Sequence, residues 1–378
     1  MHLYRNLYPK ITDMNNILEA YDKASRLKHQ RKDFKNYEEN LMINLFDLQQ
    51  RLLSGTYKVG KYSVFKVYED KERLIMKLPP KDRVAQHAWN NICNPLFEPK
   101  FIYDSYACRP DKGLQVAVQR MKNWLHKLYI INNEPIYSIN GDIHHYFQSI
   151  DHQVLFREIE KVIGCNNTLW LTAEFINSNN NIGPGVGVPI GNLTSQLFAN
   201  IYGNILDQYV KRELKCTYYM RYMDDFRILD NDYHRITEVY KRIEYFINNT
   251  MKMQLNSKTN ITYINNEYPM NFIGFRIYPN RIIPRKKTVQ RLYDFVYSYE
   301  EGYIDLDTLC KSWPSMTGYI EFSDSTKLIN DLYSKIHEKL YDLYLNSDMS
   351  YSFNFGLEQY LGNYYNTIMK DKIYPEDI

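Results

Sequence analysis

Apolar residues recur at steps of three and four along the N-terminal part of the chain, which predicts helices over residues 12–55. The spacing begins at Ile17 and continues to Leu52. Gly55 follows, and a glycine just past the last apolar position is typical of a helix end. We therefore expect an N-terminal helical extension over residues 1–55.

The pattern changes from helical spacing to alternation over residues 62–78. Two short apolar runs flank a charged turn there, and this arrangement predicts a β-hairpin. Two prolines stop the hairpin. A helix is expected to follow from Asp82 to about Phe97.

Strands and helices then alternate without a regular βαβ repeat. This irregular order predicts an α+β fold rather than a doubly wound sheet. Residues after 287 look mostly helical and rich in tyrosine. The elements expected between are a buried strand from Ile136 that runs into Asp142, an apolar helix over about 193–214, a hairpin around 222–225, a helix over about 233–250 and a second hairpin over 271–278.

Composition indicates a globular chain and bounds its setting. Apolar residues make up 44% and charged residues 24% of the 378 residues. No run of about eighteen apolar residues predicts a membrane span, and the N-terminus lacks the apolar core of a signal peptide. Five scattered cysteines without a C-x-x-C pair predict neither a disulfide framework nor a zinc site. We expect a cytoplasmic protein.

The net charge of +3 is low for a dedicated nucleic-acid binder. Local basic runs at 28–32 and 281–287 are therefore the candidates for phosphate contact, although either can be a solvated surface. The 36 tyrosines offer many surfaces on which bases can stack.

Adjacent carboxylates, Asp224 and Asp225, lie between apolar stretches in the sequence Tyr-Met-Asp-Asp. Because adjacent like charges repel, a partly buried pair needs a compensating cation, and hard oxygen ligands favour Mg²⁺. A solvated hairpin turn is the alternative. A two-metal site needs a carboxylate from another strand, and Asp142 is the candidate, with a strand-end cap as its alternative. The chain contains no P-loop motif.

At this point the chain resembles the reverse transcriptases, and the resemblance is ordered along residues 60 to 290. The segment around Asp142 is similar to the first catalytic-aspartate motif of the bacterial enzymes, and residues 222–225 are similar to the second. Further matches are residues 105–113 with a fingers motif, 255–259 with a lysine motif and 272–275 with the primer-grip hairpin.

The resemblance implies a right-hand polymerase with fingers, palm and helical thumb. It implies fingers and palm over residues 56–280, and a helical thumb and C-terminal segment over 281–378. It also implies two Mg²⁺ ions, bound by a set that consists of Asp142, Ile143, Asp224 and Asp225.

Other roles are implied in the same way. Arg109, together with Arg73 or Lys77, would clamp the triphosphate of a dNTP, although Arg109 can instead form an ion pair. Phe147 would pack under the sugar and exclude a 2′-hydroxyl, or it is a plain core aromatic. Lys258 would protonate the leaving pyrophosphate or bind phosphate.

Residues 189–196 point to one branch of the family. Ile190 stands where most reverse transcriptases carry Gln, and Gln196 stands where they carry Pro. This version resembles the enzymes of diversity-generating retroelements, which copy a template RNA into cDNA with errors opposite adenine and assemble with a small accessory protein. A Gln at position 190 could form a hydrogen bond near the nascent base pair, and Ile190 cannot. The nucleotide-binding pocket would then discriminate less strictly between correct and incorrect base pairs, unless Ile190 only fills core volume.

Two other roles stay open at this stage. Related antiphage-defence reverse transcriptases work with a partner noncoding RNA or by untemplated synthesis, often as oligomers, and a group II intron or retron enzyme is a further option. From a different class, the chain could be an inactive polymerase-shaped scaffold. The intact set of three aspartates argues against the scaffold.

Overall fold

The computed structural model describes residues 3–68, 72–178 and 183–305, together with scattered residues between 308 and 335. The chain forms two compact units. One contains Met1–Ala117 and Tyr137–Thr262, and the other contains Val118–Ile136 and Tyr263–Ile378. The three-part division into extension, fingers with palm, and thumb stays a prediction.

The helices predicted over residues 12–55 are present as a series of separate helices in the first unit. Asp13 begins the second of these helices by accepting a hydrogen bond from the Asn15 N–H at 2.9 Å. Gly55 follows the last helix with a φ of +68°, the left-handed conformation that glycine adopts without cost. The helices are α1 (Tyr8–Ile11), α2 (Met14–Ser25), α3 (Lys32–Glu38) and α4 (Leu41–Leu53).

The predicted hairpin is confirmed as strands β1 (Ser63–Tyr68) and β2 (Glu72–Lys77), which pair antiparallel. Helix α5 (Pro80–Phe97) follows and begins two residues before the predicted Asp82. Proline fits the first turn because the N–H it lacks would have no helical partner there. The two prolines thus end the hairpin and start the helix.

The middle of the chain adds four helices that the apolar spacing did not reveal, between residues 114 and 176. The predicted helix over 193–214 ends as an α-helix at Gln208 and continues as one wider π-helical turn, Tyr209–Glu213. No helix among the described residues is both long and apolar enough to cross a membrane. The helices are α6 (Leu114–Leu125), α7 (Tyr146–Ser149), α8 (His152–Glu160), α9 (Asn166–Ile176), α10 (Leu193–Gln208) and α11 (Tyr233–Asn249).

A four-stranded sheet lies at the centre of the first unit. Its strands β3 (Ile136–Asp142), β4 (Tyr218–Tyr222), β5 (Asp225–Asp230) and β6 (Asn260–Ile264) lie side by side in the order β4-β5-β3-β6. Strand β5 pairs antiparallel with both β3 and β4. Apolar side chains of these strands share one core with α5, α8 and α10.

The second unit contains a three-stranded antiparallel sheet, β7 (Met270–Phe272), β8 (Phe275–Ile277) and β9 (Ile282–Pro284). The second predicted hairpin is therefore confirmed, and a third strand extends it. Helix α12 (Lys286–Glu300) follows directly. The expected helical segment to residue 378 lies largely outside the described residues, which include none beyond 335.

Candidate active site

Strand register places the predicted carboxylates at one end of the central sheet. Asp142, the last residue of β3, lies directly opposite Asp225, the first residue of β5. Tyr222 also pairs with Asp225, so Met223 and Asp224 form a two-residue turn between β4 and β5. All three aspartates are half-buried. The sheet thus brings Asp142 to the same edge as the Asp224-Asp225 pair.

The donor set fits Mg²⁺ in kind, because carboxylate oxygens are the hard ligands that this ion prefers. As they stand, however, no three acidic, His or Cys side chains in the described part of the chain converge closely enough to hold a metal ion. The backbone register therefore provides the arrangement, and binding of an ion would have to draw the side chains together.

The backbone around Asp142 is fixed from both sides. Its carbonyl accepts from the Asn256 N–H at 2.7 Å and from the Thr259 hydroxyl at 3.3 Å. The Ile143 N–H donates to the Asp224 carbonyl at 3.2 Å, which ties the two aspartate segments together. The predicted lysine motif therefore lies against Asp142, and Lys258 is exposed beside it.

Close packing also fixes this end of the sheet. A Cβ at Gly141 would lie 2.0 Å from the ring of Phe226, so only glycine fits directly before Asp142. Arg227 makes an ion pair with Asp225 and donates to the Gly141 carbonyl at 3.4 Å. Neither Gly141 nor Arg227 was predicted to shape the site. A cationic residue two positions after the aspartate pair was the available signal.

A second arginine, Arg221, is fully buried two residues before the turn. Its Nε and Nη2 donate to the two carboxylate oxygens of Asp207 on α10, each at 2.8 Å. Burial alone would lower the pKa of Arg221, but the Asp207 carboxylate raises the pKa above its ordinary value. A charged residue within an apolar strand was the sequence signal for this pair, since a buried charge needs a partner.

Arg109 contacts the protein itself. Its Nε and Nη2 donate to Glu98 at 2.9 and 2.7 Å, and its Nη1 donates to the carbonyls of Ile102 and Ser105, each at 2.7 Å. The side chain is 6% exposed. This geometry favours the alternative of an internal ion pair over the triphosphate clamp, and it gives Arg109 the role of holding the loop after α5.

Of the two basic residues predicted to bind the triphosphate from the first hairpin, the structure describes the side-chain contacts of Lys77 but not those of Arg73. Lys77, at the end of β2, makes an ion pair with Asp33 of α3 at 2.7 Å. Arg73 lies within β2, opposite Val67, and its side chain falls outside the described residues. A role for either in binding the triphosphate stays a prediction.

Phe147 is a half-buried residue of α7, and its ring meets the ring of Tyr146 edge-on, with 6.0 Å between centroids. Its carbonyl accepts from the Val188 N–H at 2.8 Å. Phe147 therefore lies five residues after Asp142 with its backbone tied to the loop before α10. Its contact with a sugar stays a prediction.

Ile190 and Gln196 lie where the loop before α10 meets the first hairpin. The Ile190 carbonyl accepts from the Met76 N–H at 2.9 Å, and the side chain of Ile190 is half-buried. Gln196 is exposed and lines a pocket of about 360 Å³. The other residues around this pocket are Lys28, Arg31, Phe65, Ile75, Met76, Lys77, Leu78, Arg83, Gln86, His87, Gly191, Asn192 and Leu193.

Positive charge and unsatisfied donors characterise this pocket, which we call the basic pocket. The Nη1 of Arg83 and the Nε2 of Gln86 are buried there without a hydrogen-bond partner among the described residues. Burial, together with Arg83 and Arg31, lowers the pKa of Lys28, which shows that cations are crowded here. Buried donors without partners and excess positive charge suit an anionic ligand.

Asp142 and Asp225 lie on neighbouring antiparallel strands, and Asp224 lies in the tight turn directly before Asp225. In an α+β fold, this arrangement is typical of the palm of a nucleotidyl-transferring polymerase. The sequence comparison names the class more closely. A model of the family described as reverse transcriptase (RNA-dependent DNA polymerase) matches residues 61–277, more than half of the chain. The chain therefore belongs to the reverse transcriptase family.

Two curated relatives are similar in sequence to this chain. The protein YkfC of Escherichia coli is 25% identical over 289 residues, which is 65% of this chain and 74% of YkfC. A putative COX1/OXI3 intron 2 protein of Saccharomyces cerevisiae is 23% identical over 142 residues, or 36% of this chain and 16% of that protein.

Among solved structures, two telomerases are similar to this chain at 12% identity. That of Candida albicans, in complex with a fragment of telomeric RNA, gives a TM-score of 0.49 over 82% of this chain and 59% of its own. That of Candida tropicalis gives 0.45, over 60% of this chain and 55% of its own. The family assignment rests on the sequence match, and the chain spans under two thirds of either telomerase.

Proposed function

We propose that the chain copies a cognate template or noncoding RNA into cDNA, using dNTPs and two Mg²⁺ ions. The observation that carries this proposal is the register of Asp142 opposite Asp225, with Asp224 in the adjoining turn. Asp142, Asp224 and Asp225, with the backbone of Ile143, would hold the ions. Bound there, the ions would supply charge neutralisation at the triphosphate and a more acidic primer hydroxyl.

Labelled dNTP incorporation on a primed RNA tests this proposal. We expect Asp224→Ala to reduce Mg²⁺-dependent incorporation at least ~10³-fold, because charge stabilisation of the transition state depends on the metal set. Glu238→Ala removes a carboxylate from the exposed face of α11 and should leave the rate unchanged. Wild-type protein that incorporates no dNTP with any template, cognate RNA included, would favour the inactive scaffold.

We assign the basic pocket to the unpaired template strand. Phe65 and Ile75 offer an apolar wall for a base, and Lys28, Arg31 and Arg83 offer charge to the backbone phosphates. Gly191 and Gln196 bring the loop beside Ile190 to the same pocket. A single nucleotide unit would occupy this volume, with the amide of Gln86 available to its polar edge.

Salt-dependent RNA binding tests the pocket. We expect Arg31→Gln to weaken binding of single-stranded RNA about 3–10-fold at low salt and to reduce the salt slope by roughly one, as loss of one phosphate contact predicts. Lys35→Gln is the matched control, because Lys35 lies one turn further along α3 and is exposed outside the pocket. If the two variants weaken RNA binding equally, the template strand does not bind in the basic pocket.

The biological role that we favour is error-prone copying in a diversity-generating retroelement. Ile190 supports it, because its half-buried apolar side chain stands in the loop whose backbone joins the first hairpin. An apolar residue there offers no hydrogen bond to a nascent base pair. In this role the enzyme would assemble with a small accessory protein and work in the cytoplasm.

Substitution of this residue tests the role. We expect Ile190→Gln to lower misincorporation opposite template adenine about 3–10-fold, since each added hydrogen bond discriminates by roughly 1 kcal/mol. Ile190→Val keeps the apolar character and serves as the control. Unchanged error spectra in primer extension with the Gln variant would remove the physical argument for low fidelity.

The antiphage-defence role remains our second candidate, favoured by the net charge of +3. A nearly neutral polymerase suits an RNA held by a limited surface such as the basic pocket, or by an oligomer or partner protein. Copurification separates the roles. A bound noncoding RNA and a homo-oligomer without an accessory protein would favour defence, and a stable complex with a small helical protein would favour diversity generation.

A further inference from the structure

The Arg221–Asp207 pair is a buried ion pair that the chemistry of the three aspartates does not use. Both side chains are fully buried. Buried ion pairs contribute little net stability, because desolvation offsets the attraction between the charges. We therefore ask what the third nitrogen of the guanidinium, Nη1, contacts, because this contact indicates what the pair does besides stabilising the fold.

That remaining donor points to the turn between β4 and β5. Nη1 of Arg221 donates to the Met223 carbonyl at 2.9 Å. Met223 has a φ of +60°, a left-handed conformation that costs a side-chain-bearing residue free energy and is left to glycine in most hairpin turns. A strained residue persists when its surroundings fix it, and here one contact comes from Arg221.

Other elements are shaped around the same guanidinium. Nη2 donates to the Ser105 hydroxyl at 3.2 Å, and the backbone of Arg221 exchanges hydrogen bonds with Asp104 and Tyr106, each at 3.0 Å. On α10, a Cβ at Gly203 would lie 2.5 Å from the guanidinium, so glycine makes the room that Arg221 occupies. The Tyr219 hydroxyl is a third donor to Asp207, at 2.6 Å.

We propose that Arg221 is a positioning residue that holds the strained Met223-Asp224 turn and thereby presents Asp224 and Asp225 to the metal ions. Asp207 fixes the position of the guanidinium, and the hydrogen bond from the guanidinium to the Met223 carbonyl fixes the turn. This inference rests on the proposed function for its purpose. The turn geometry, however, can be measured in metal-free protein without any polymerase assay.

Hydrogen exchange and Mn²⁺ binding test the inference on the full chain. The double variant Arg221→Met with Asp207→Leu removes both charges together and avoids an unpaired buried ion. We expect amides of residues 222–226 to exchange at least tenfold faster in metal-free protein. We also expect Mn²⁺ alone to bind at least fivefold more weakly by calorimetry, while the melting temperature stays within a few degrees of the wild type.

Two single variants keep the test decisive. Ser105→Ala removes a neighbour of the same guanidinium but leaves the Met223 contact, so exchange at 222–226 and Mn²⁺ affinity should match the wild type. Arg221→Lys keeps the charge beside Asp207 and loses the donor to the turn, so it should reproduce both defects even where the double variant does not fold. Wild-type exchange and Mn²⁺ binding in Arg221→Lys would overturn the inference.

The two proposals fail in different ways. If the wild type incorporates no dNTP but Arg221→Lys loosens the turn and weakens Mn²⁺ binding, the positioning role stands and the polymerase function falls. If incorporation is normal in the wild type and in Arg221→Lys, the polymerase function stands and the positioning role falls.

Discussion

Two antiparallel hairpins of the first unit carry residues predicted to act on the same reaction, and they are built in contrasting ways. The hairpin β4–β5 lies within a four-stranded sheet, and the three central residues of β4 are buried. The hairpin β1–β2 forms a two-stranded sheet by itself. Its residues Val64, Phe65 and Leu74 are 45–47% exposed.

The contacts that hold each hairpin differ in the same sense. The turn of β4–β5 is bonded to Arg221 and to the Ile143 N–H. Strand β2 contacts other elements at its C-terminal end, where the Met76 N–H donates to the Ile190 carbonyl and Lys77 pairs with Asp33. Two-stranded hairpins are marginally stable alone. We infer that the end of the sheet that carries the three aspartates is preorganised, whereas the first hairpin is free to adjust its position.

Among substitutions that test the contrast between the two hairpins, the largest effect is expected from Gly141→Ala, which changes the packing beside Asp142. The new methyl would lie 2.0 to 2.4 Å from the ring atoms of Phe226, so the strand or the ring must move. Overpacking of this kind costs about 1–3 kcal/mol, and a shift of Asp142 by about 1 Å costs ~10²-fold in rate. Chemical unfolding and single-turnover incorporation measure the two effects.

A compensating change sharpens this prediction. Gly141→Ala combined with Phe226→Leu makes room for the methyl and should recover part of the lost stability and rate. Gly318→Ala is the control, because no described atom lies within 4 Å of its added Cβ. An active, fully stable Gly141→Ala enzyme would show that this end of the sheet is more adaptable than its packing indicates.

Gly141 also shows how far sequence reasoning reaches. Apolar alternation predicted β3, and the motif around Asp142 placed the aspartate at its end, because both signals are local in the chain. The close approach of the Phe226 ring to Gly141 brings together two positions that are 85 residues apart. Arg221 similarly meets Ser105 across 116 residues. Such contacts arise from sheet order, which local patterns do not encode.

Arg109 shows a further limit of sequence reasoning. A basic residue in a motif that resembles the nucleotide-binding fingers suggested a triphosphate clamp. The partners that occupy it are Glu98, eleven residues earlier, and two backbone carbonyls. The bend of the chain after α5 creates those acceptors, and the residue type alone does not reveal it. The apolar spacing also missed α8, which Asp151 caps by accepting a hydrogen bond from the Val154 N–H.

An intermediate effect is expected from Lys77→Gln on the adjustable hairpin. Lys77 lines the basic pocket, so we expect RNA affinity to fall about 3–10-fold with the dNTP KM unchanged. Stability should change by less than about 1 kcal/mol, because the Lys77–Asp33 pair is partly exposed. RNA binding and steady-state kinetics measure these quantities.

Lys66→Gln is the matched control for Lys77. Lys66 lies on the same hairpin and pairs with Glu72 at 2.7 Å, but it does not line the pocket. Its substitution should leave RNA affinity and the dNTP KM unaltered. A higher dNTP KM with normal RNA affinity in Lys77→Gln would return Lys77 to the triphosphate clamp predicted from sequence.

The smallest effect concerns His87, which lies on α5 at the basic pocket. Burial, with Lys28, Arg83 and Lys23, lowers the pKa of His87 to about 4 from its ordinary 6.5. Between pH 6.5 and pH 4, His87 is protonated in the unfolded chain but stays neutral in the folded chain. Stability is therefore present above pH 6.5 and is lost as the pH falls toward 4.

His87→Gln should remove this part of the acid sensitivity. We expect the wild type to lose about 1 kcal/mol more than the variant in urea unfolding between pH 6.5 and pH 4.5. Saturating RNA should raise the pKa of His87 in an NMR titration, because phosphates in the pocket would offset Lys28 and Arg83. If the His87 pKa stays at about 4 in the RNA complex, the template strand binds elsewhere. The contrast between the two hairpins would then describe their packing only, and not a difference in function.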